Sequence, residues 1–135
     1  MKTREKPLLL GDFELETLEY LWREGGGNAK DIHAVLGLTR GNTLNTVQST
    51  LDRLYKKGLL ERTKQGHSYH YQSLHSRTEV LARKFNDLAK ELSGGELKSV
   101  FAGFIEFTSR LDHSKLDELE VLIADYKSKA KSEQT

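Results

Sequence analysis

The chain has no cysteine, a single proline (Pro7) and one tryptophan among its 135 residues. Without cysteine there are no disulfides, thiolate metal sites or cysteine nucleophiles, a composition that suits a reducing cytoplasm. With proline confined to position 7, the rest of the chain is free of the strongest helix breaker. No apolar run approaches the roughly 20 residues that a membrane-spanning helix needs. Pro7-Leu8-Leu9-Leu10, following the polar Met1–Lys6 stretch, is too short for the core of a signal peptide. The expectation is a soluble, cytoplasmic protein with no membrane partner. A surplus of either charge is lacking as well: 21 Lys/Arg stand against 20 Asp/Glu, for a net +1. With 36% hydrophobic and 30% charged residues, the composition is that of a folded helical protein rather than a disordered one. Its length accommodates one compact domain, or a small domain with an appended element.

The motifs of catalysis are missing too. There is no HExxH, no glycine-rich phosphate loop and no G-x-S-x-G. Of the five histidines, His67 and His70 are the closest pair, and their spacing puts the two rings on opposite faces of a strand, a poor start for a metal site. Gly25-Gly26-Gly27 follows a helical pattern and lacks the Lys-Ser/Thr of a phosphate loop, so it reads as a stop. The expectation is therefore no enzyme, no metal and no cofactor.

What is present is helical periodicity. Asp12 is placed to cap a first helix with Leu15, Leu18, Leu21 and Trp22 on one face, and Glu14, Glu16 and Glu19 lie early in it, where the helix dipole favours acids. Asn28 opens a second, short helix with Ala29, Ile32, Val35 and Leu36 inward, closed by Gly37. After a loop from Leu38 to Asn42, Thr43 caps a third helix with an apolar stripe of Leu44, Val47, Leu51 and Leu54. Lys56-Lys57 in its last turn and Gly58 beyond it complete the stop signal. The period then changes to two: Leu60–Lys64 and His67–Tyr71 flank Gln65-Gly66, the pattern of a hairpin with a tight glycine turn.

A capping-box pattern, Ser76-Arg77-Thr78-Glu79, opens a second region. Its first helix carries Leu81, Phe85, Leu88 and Leu92 and is broken at Gly94-Gly95. The next carries Leu97, Val100, Phe101, Phe104, Ile105 and Phe107, apolar over much of its circumference, which signals burial on more than one side. Asp112 or Ser114 caps a last helix with Leu116, Leu119, Leu122, Ile123 and Tyr126, followed by a polar tail from Lys127 expected to fray. A homodimer would supply the second buried side. The expected interface residues are Leu97, Phe101, Phe104, Ile105, Leu116, Leu119 and Ile123.

Three helices and a hairpin within residues 12–72 are the order of a winged helix domain. The stripe of the third helix leaves Asn45, Gln48, Ser49 and Asp52 outward, with Thr46, Thr50 and Arg53 at the flanks. Asn and Gln pair bidentately with adenine, and Ser/Thr serve most base edges; such helices read DNA from their N-terminal half. Arg62, Lys64, Gln65 and His67 surround the hairpin tip, where positive charge attracts phosphate. From Thr39 to His75, six Lys/Arg face only Asp52 and Glu61, so the basic excess is local. The expected DNA-binding set is Thr43, Asn45, Thr46, Gln48, Ser49, Arg53, Lys64, Gln65 and His67.

These pieces carry a family resemblance. Leu18-Glu19-Tyr20-Leu21-Trp22, Asn28-Ala29-Lys30-Asp31-Ile32, the run Thr46–Leu54, Lys56-Lys57-Gly58-Leu59-Leu60, Gly66–Tyr71 and Gly95–Phe101 occur in an order and spacing that resembles the penicillinase-repressor family of BlaI/MecI/CopY-type regulators. The resemblance implies a dimeric repressor on inverted-repeat, double-stranded DNA operators, with the N-terminal domain on DNA and the last helices holding the dimer. It also implies a sensor protein or protease as a partner. In penicillin-responsive members such a protease cuts an Asn-Phe bond; the matching bond here is Gly103-Phe104. The copper-responsive branch relies on a C-terminal cysteine cluster, which this chain does not have. The wing arginine of the family is His67 here.

The expected architecture is thus mainly α with a small β-hairpin wing: a winged helix-turn-helix domain over residues 1–75 and a helical dimerisation region over 76–135. Two alternatives keep the fold. One is a winged-helix module for protein contacts, which the polar Asn45/Gln48/Ser49 face disfavours, since protein interfaces prefer aromatic and apolar anchors. The other is a ligand-sensing MarR-like regulator, a class that brings a longer N-terminal dimerisation helix.

Overall fold

The computed structural model describes residues 7–92 and 96–134. Its elements are α1 (Asp12–Glu24), α2 (Ala29–Ile32), a π-helical turn (His33–Gly37), α3 (Leu38–Arg40), α4 (Leu44–Lys56), β1 (Leu60–Gln65), β2 (Ser68–Ser73), α5 (Arg77–Leu92), α6 (Leu97–Leu111) and α7 (Ser114–Gln134). The mainly helical architecture with one antiparallel hairpin is as the periodicities require. The chain divides into two compact units, Met1–Asp87 and Leu88–Thr135. The division falls inside α5, twelve residues beyond the boundary at 75/76 expected from the sequence.

In the first unit, Leu18 and Leu21 from α1, Ile32 from α2 and Val47, Leu51 and Leu54 from α4 form the core with Leu59, Leu60 and Tyr71. Burying each leucine contributes about 1.5–3 kcal/mol relative to an exposed one, so these spacings hold the three-helix arrangement together. The N-cap of α1 is Gly11 rather than Asp12. The Gly11 N–H donates to Glu14 Oε1 at 3.0 Å, and Glu14 is buried with Thr17, Leu18, Tyr20 and Leu21 while Leu15 is exposed. The helix is rotated from the expected face, and on the face it buries Glu14 pairs with Lys57. Gly25, left-handed at φ 78°, ends α1 as expected.

The second helix begins at Asn28, whose side chain accepts from the Asp31 N–H at 2.8 Å. It does not end at Gly37. The helical path widens into a π turn and runs on to Arg40, closing at Gly41 with φ 75°. Gly37 is there for space: a Cβ at this position would lie 2.5 Å from Cδ2 of the His33 ring. That ring hydrogen-bonds the Asn42 carbonyl through Nε2 at 3.0 Å. The widened turn swings Val35 out to 50% exposure, away from its expected inward place.

Thr43 caps α4 as expected, its Oγ1 accepting from the Thr46 N–H at 3.1 Å. The strands of the hairpin pair from Leu60↔Ser73 to Gln65↔Ser68, so its turn is Gly66-His67 rather than Gln65-Gly66. Gly66 has φ 63°, and among the described residues none but glycine takes a positive φ, so His67 does not, the pattern of a type II′ turn, which needs glycine first. Gly27 adds an isolated bridge, exchanging hydrogen bonds of 3.0 and 2.8 Å with Tyr71, and so joins the α1–α2 connection to the hairpin base.

A strap ahead of α1 completes this unit. Leu8 is buried, its N–H donates to Asp87 Oδ2 at 2.9 Å and its carbonyl accepts from Lys84 Nζ at 3.1 Å. The start of α5 is capped by Ser76 through the Glu79 N–H at 3.1 Å, and Arg77 pairs with Glu19 on α1. These links draw the first turns of α5 into the N-terminal unit. The expected Gly94-Gly95 break lies outside the described residues.

In the second unit, α6 packs against α7. The Asp112 carboxylate accepts from the Ser114 N–H at 3.0 Å, making it the capping residue of the pair expected. The helix α7 continues to Gln134; the tail from Lys127 is helical rather than frayed, because alternating Lys, Ser, Ala and Glu are compatible with helix. Among the described residues no helix is long and apolar enough to cross a membrane.

Candidate nucleic-acid interface

The surface of interest is built on α4. Val47, Thr50, Leu51 and Leu54 are buried, so at 100° per residue Asn45, Ser49 and Asp52 point directly outward. Gln48 lies on one flank of that face, with Tyr55 beyond it, and Thr46 and Arg53 share the other. Asn45, Thr46, Gln48, Ser49 and Arg53 are all exposed. Thr50, expected at a flank, is instead buried, its hydroxyl donating to the Thr46 carbonyl at 2.8 Å and accepting from Arg53 Nη2 at 3.1 Å. Thr43 Oγ1 lies 3.0 Å from Thr46 Oγ1, so the two hydroxyls at the start of the helix are held together.

The hairpin stands beside the Gln48 flank. Between them lies a groove of about 420 Å³ lined by Gln48 and Leu51 of α4, His67 to Tyr69 of the hairpin, and Asn28 to Lys30 of α2. The structure thus brings Gln48 and His67, separated by nineteen positions, onto one groove. Lys64 and Gln65 are exposed near the hairpin tip. Lys30 was not among the residues expected from sequence; its only signal was a position two residues past the Asn28 cap, which is common on any helix.

Arg62 occupies a different environment from the one expected at the tip. Its guanidinium carbon lies 3.9 Å from the centre of the Tyr55 ring and 4.3 Å from that of Tyr69. Hydrogen bonding to the Tyr71 phenol, and then the electronegative surroundings of the three tyrosines, push its pKa further up, against some desolvation. Asp52, although on the outward face, is neutralised locally. A hydrogen bond from Lys56, in an ion pair of 2.9 Å, and the charge of Arg62, 3.5 Å away, hold its carboxyl below the usual range. The acid in the middle of the helix face therefore stays ionised, with two cations beside it that offset its charge.

The second unit has a surface of another kind. Leu97, Phe101, Phe104, Ile105 and Ile123 are exposed, Phe101 by 62%; Leu116 and Leu119 are half-buried. Phe107, Leu111, Val121, Leu122 and Tyr126 add to the apolar surface. A single copy of the chain leaves this face in water.

The sequence matches the family of the penicillinase repressor over residues 10–125. It is 25% identical over 122 residues to the penicillinase repressor of Bacillus licheniformis, covering 90% of this chain and 94% of that one. It is 28% identical over 118 residues to the transcriptional regulator BlaI of Mycobacterium tuberculosis, covering 86% of this chain and 83% of the relative. Among solved structures, the DNA-binding domain of the repressor BlaI superposes with a TM-score of 0.50 at 28% identity, covering 56% of this chain and 93% of that domain. The chain spans nearly the whole length of these relatives, and with its order of helices and wing it belongs to the penicillinase repressor family, a family of transcriptional repressors and not of enzymes.

Proposed function

We propose that this chain is a sequence-specific transcriptional repressor that binds an inverted-repeat operator on double-stranded DNA as a homodimer. The observation that carries the reading is the Asn45–Ser49 turn of α4, whose exposed amides and hydroxyls stand beside a hairpin that offers Lys64 and His67. In this reading Asn45, Thr46, Gln48 and Ser49 meet base edges, Thr43 holds the start of the helix against the backbone, and Arg53, Lys64, Gln65 and His67 reach phosphates or the neighbouring groove. Operator binding occludes transcription, and no bond is made or broken by the protein.

The dimer is assigned to Leu97, Phe101, Phe104, Ile105, Leu116, Leu119 and Ile123. Residues 1–75 then carry the DNA-binding elements and 76–135 the dimerising ones, with the first turns of α5 packed on the DNA-binding unit. Two-fold symmetry would place two α4 helices about 34 Å, one turn of DNA, or a multiple of it apart. The compartment of action is the cytoplasm, with the DNA. A sensor protein or protease acting on the C-terminal helices belongs to the proposal as the means of release. The Gly103-Phe104 bond lies in the middle of α6, so cleavage there requires that helix to unwind.

The test is selection of duplexes from a randomised pool by the purified protein, followed by mobility shifts across a salt series. A recovered palindromic motif, shifted by two chains per duplex, is expected. Recovery of no motif at low salt would overturn the repressor reading and favour a winged helix used for protein contacts.

A further inference from the structure

The wing is a two-stranded hairpin, and such hairpins are marginal alone in water. At its base it is held by buried Leu60 and Tyr71 and by the Gly27 bridge. Further out, every residue from Thr63 to Tyr69 is exposed. Between base and tip stands Arg62, paired in register with Tyr71. Its side chain is only 25% exposed and lies over the rings of Tyr55, on α4, and Tyr69, on β2. The Asp52 carboxylate, also on α4, accepts from Nη1 at 3.5 Å.

From this we infer that Arg62 is a positioning residue, not a DNA contact: it sets the angle of the wing against α4 by inserting its guanidinium between Tyr55 and Tyr69. The inference rests on the proposed DNA-binding function and deepens it. The wing's DNA-facing groups, Lys64 and His67, are useful only if held at a fixed offset from Gln48 and Ser49, and a hairpin free to pivot about its base would lose that offset. A planar, weakly hydrated guanidinium suits this socket because it stacks on aromatic faces while still donating in its own plane, which a lysine ammonium cannot do. Tyr55 follows as the second half of the device. It sits on the Gln48 flank of α4, seven residues on, where a merely solvated surface position would not need an aromatic.

The experiment compares Arg62→Lys, Arg62→Gln, Tyr55→Leu and the double variant R62K/Y55L with the parent chain. Two readouts are needed: amide hydrogen exchange of the free protein, and affinity with its salt slope for the duplex recovered by selection. The expected result is that R62K and Y55L each speed exchange at Thr63–Tyr69 while the amides of Leu51 and Leu54 stay protected. Each should also weaken operator binding about tenfold, and the double variant should be no worse than either single one, since both break one link. If R62K binds like the parent, Y55L is neutral, and R62Q lowers the salt slope by about one, then Arg62 contacts phosphate and the inference fails. Failure of the parent chain to select any duplex would count against the DNA reading alone. The exchange data would then decide the wing anchor separately, with unchanged wing protection in R62K and Y55L overturning it.

Discussion

Lys57 Nζ lies 2.7 Å from Glu14 Oε2 and donates to the Leu9 carbonyl at the same distance, tying the end of α4 to the start of α1 and to the N-terminal strap. Burial by itself raises the Glu14 carboxyl, but the hydrogen bonds from Lys57 and the Gly11 N–H, with the charges of Lys57 and Arg53, outweigh it and leave the pKa lowered. A carboxyl whose folded pKa lies below its unfolded value stabilises fully above the unfolded value. That contribution is lost as pH falls through the folded one. Urea midpoints should therefore hold steady near neutrality and drop below the ordinary carboxyl value of 4.5. Glu14→Gln should cost about 0.5–1.5 kcal/mol at pH 7 by replacing the charge-assisted bond from Lys57 with a neutral one and make the acid limb shallower. A pH–urea series for the variant that superimposes on the parent's would contradict the assignment.

Gly37→Ala tests the turn ahead of α4. The added methyl would meet the His33 ring at 2.5 Å, displacing it from the Asn42 carbonyl and shifting the approach to the Thr43 cap. A loss of about 1–3 kcal/mol in stability is expected, the usual cost of overpacking. His33→Ala in the same chain should recover part of it by making room. Thermal melts of the single and double variants check this; additive losses would mean that the ring and the glycine are independent.

Base reading and phosphate attraction separate by mutation. Gln48→Ala should weaken the selected duplex by ~1–3 kcal/mol and relax preference at one base pair in each half-site. Lys64→Ala should instead weaken all duplexes alike and reduce the salt slope by about one. Anisotropy titrations against cognate and scrambled DNA distinguish the two patterns, and a sequence-selective loss in Lys64→Ala would place that residue on a base instead.

The exposed face of α6 makes a prediction about mass. Phe101 is 62% exposed in the single chain, so Phe101→Asp costs the monomer fold little but puts a charge into the proposed interface, where an unpaired one is not tolerated. Sedimentation equilibrium should show the parent chain as a dimer and the variant as a monomer with the same helical content. A dimeric variant would move the interface elsewhere.

The sequence disclosed the elements wherever a local rule acts alone. Thr43 at the head of α4, Gly58 after it and Ser76 before α5 are capping signals that depend on a few neighbouring residues, and all three hold. It failed where a distant partner decides. Glu14 reads as a solvated first-turn acid until Lys57, 43 positions away, is folded against it. Gly37 reads as a stop until the His33 ring fills the space beside it. Arg62 reads as a wing cation, since nothing local reveals that Tyr55 on another element receives it. At the candidate site the outward residues of α4 were legible from helical period alone. The groove that unites Gln48, His67 and Lys30 was not, because it exists only once hairpin and helices are packed together.

The central claim is sequence-specific binding by two copies of the chain, and hydroxyl-radical footprinting on a duplex recovered by selection tests it most directly. Two equivalent protected patches related by a dyad are expected, spaced by about one helical turn or a multiple of it, at a saturation of two chains per duplex. Uniform protection with no dyad, persisting on scrambled DNA, would contradict it.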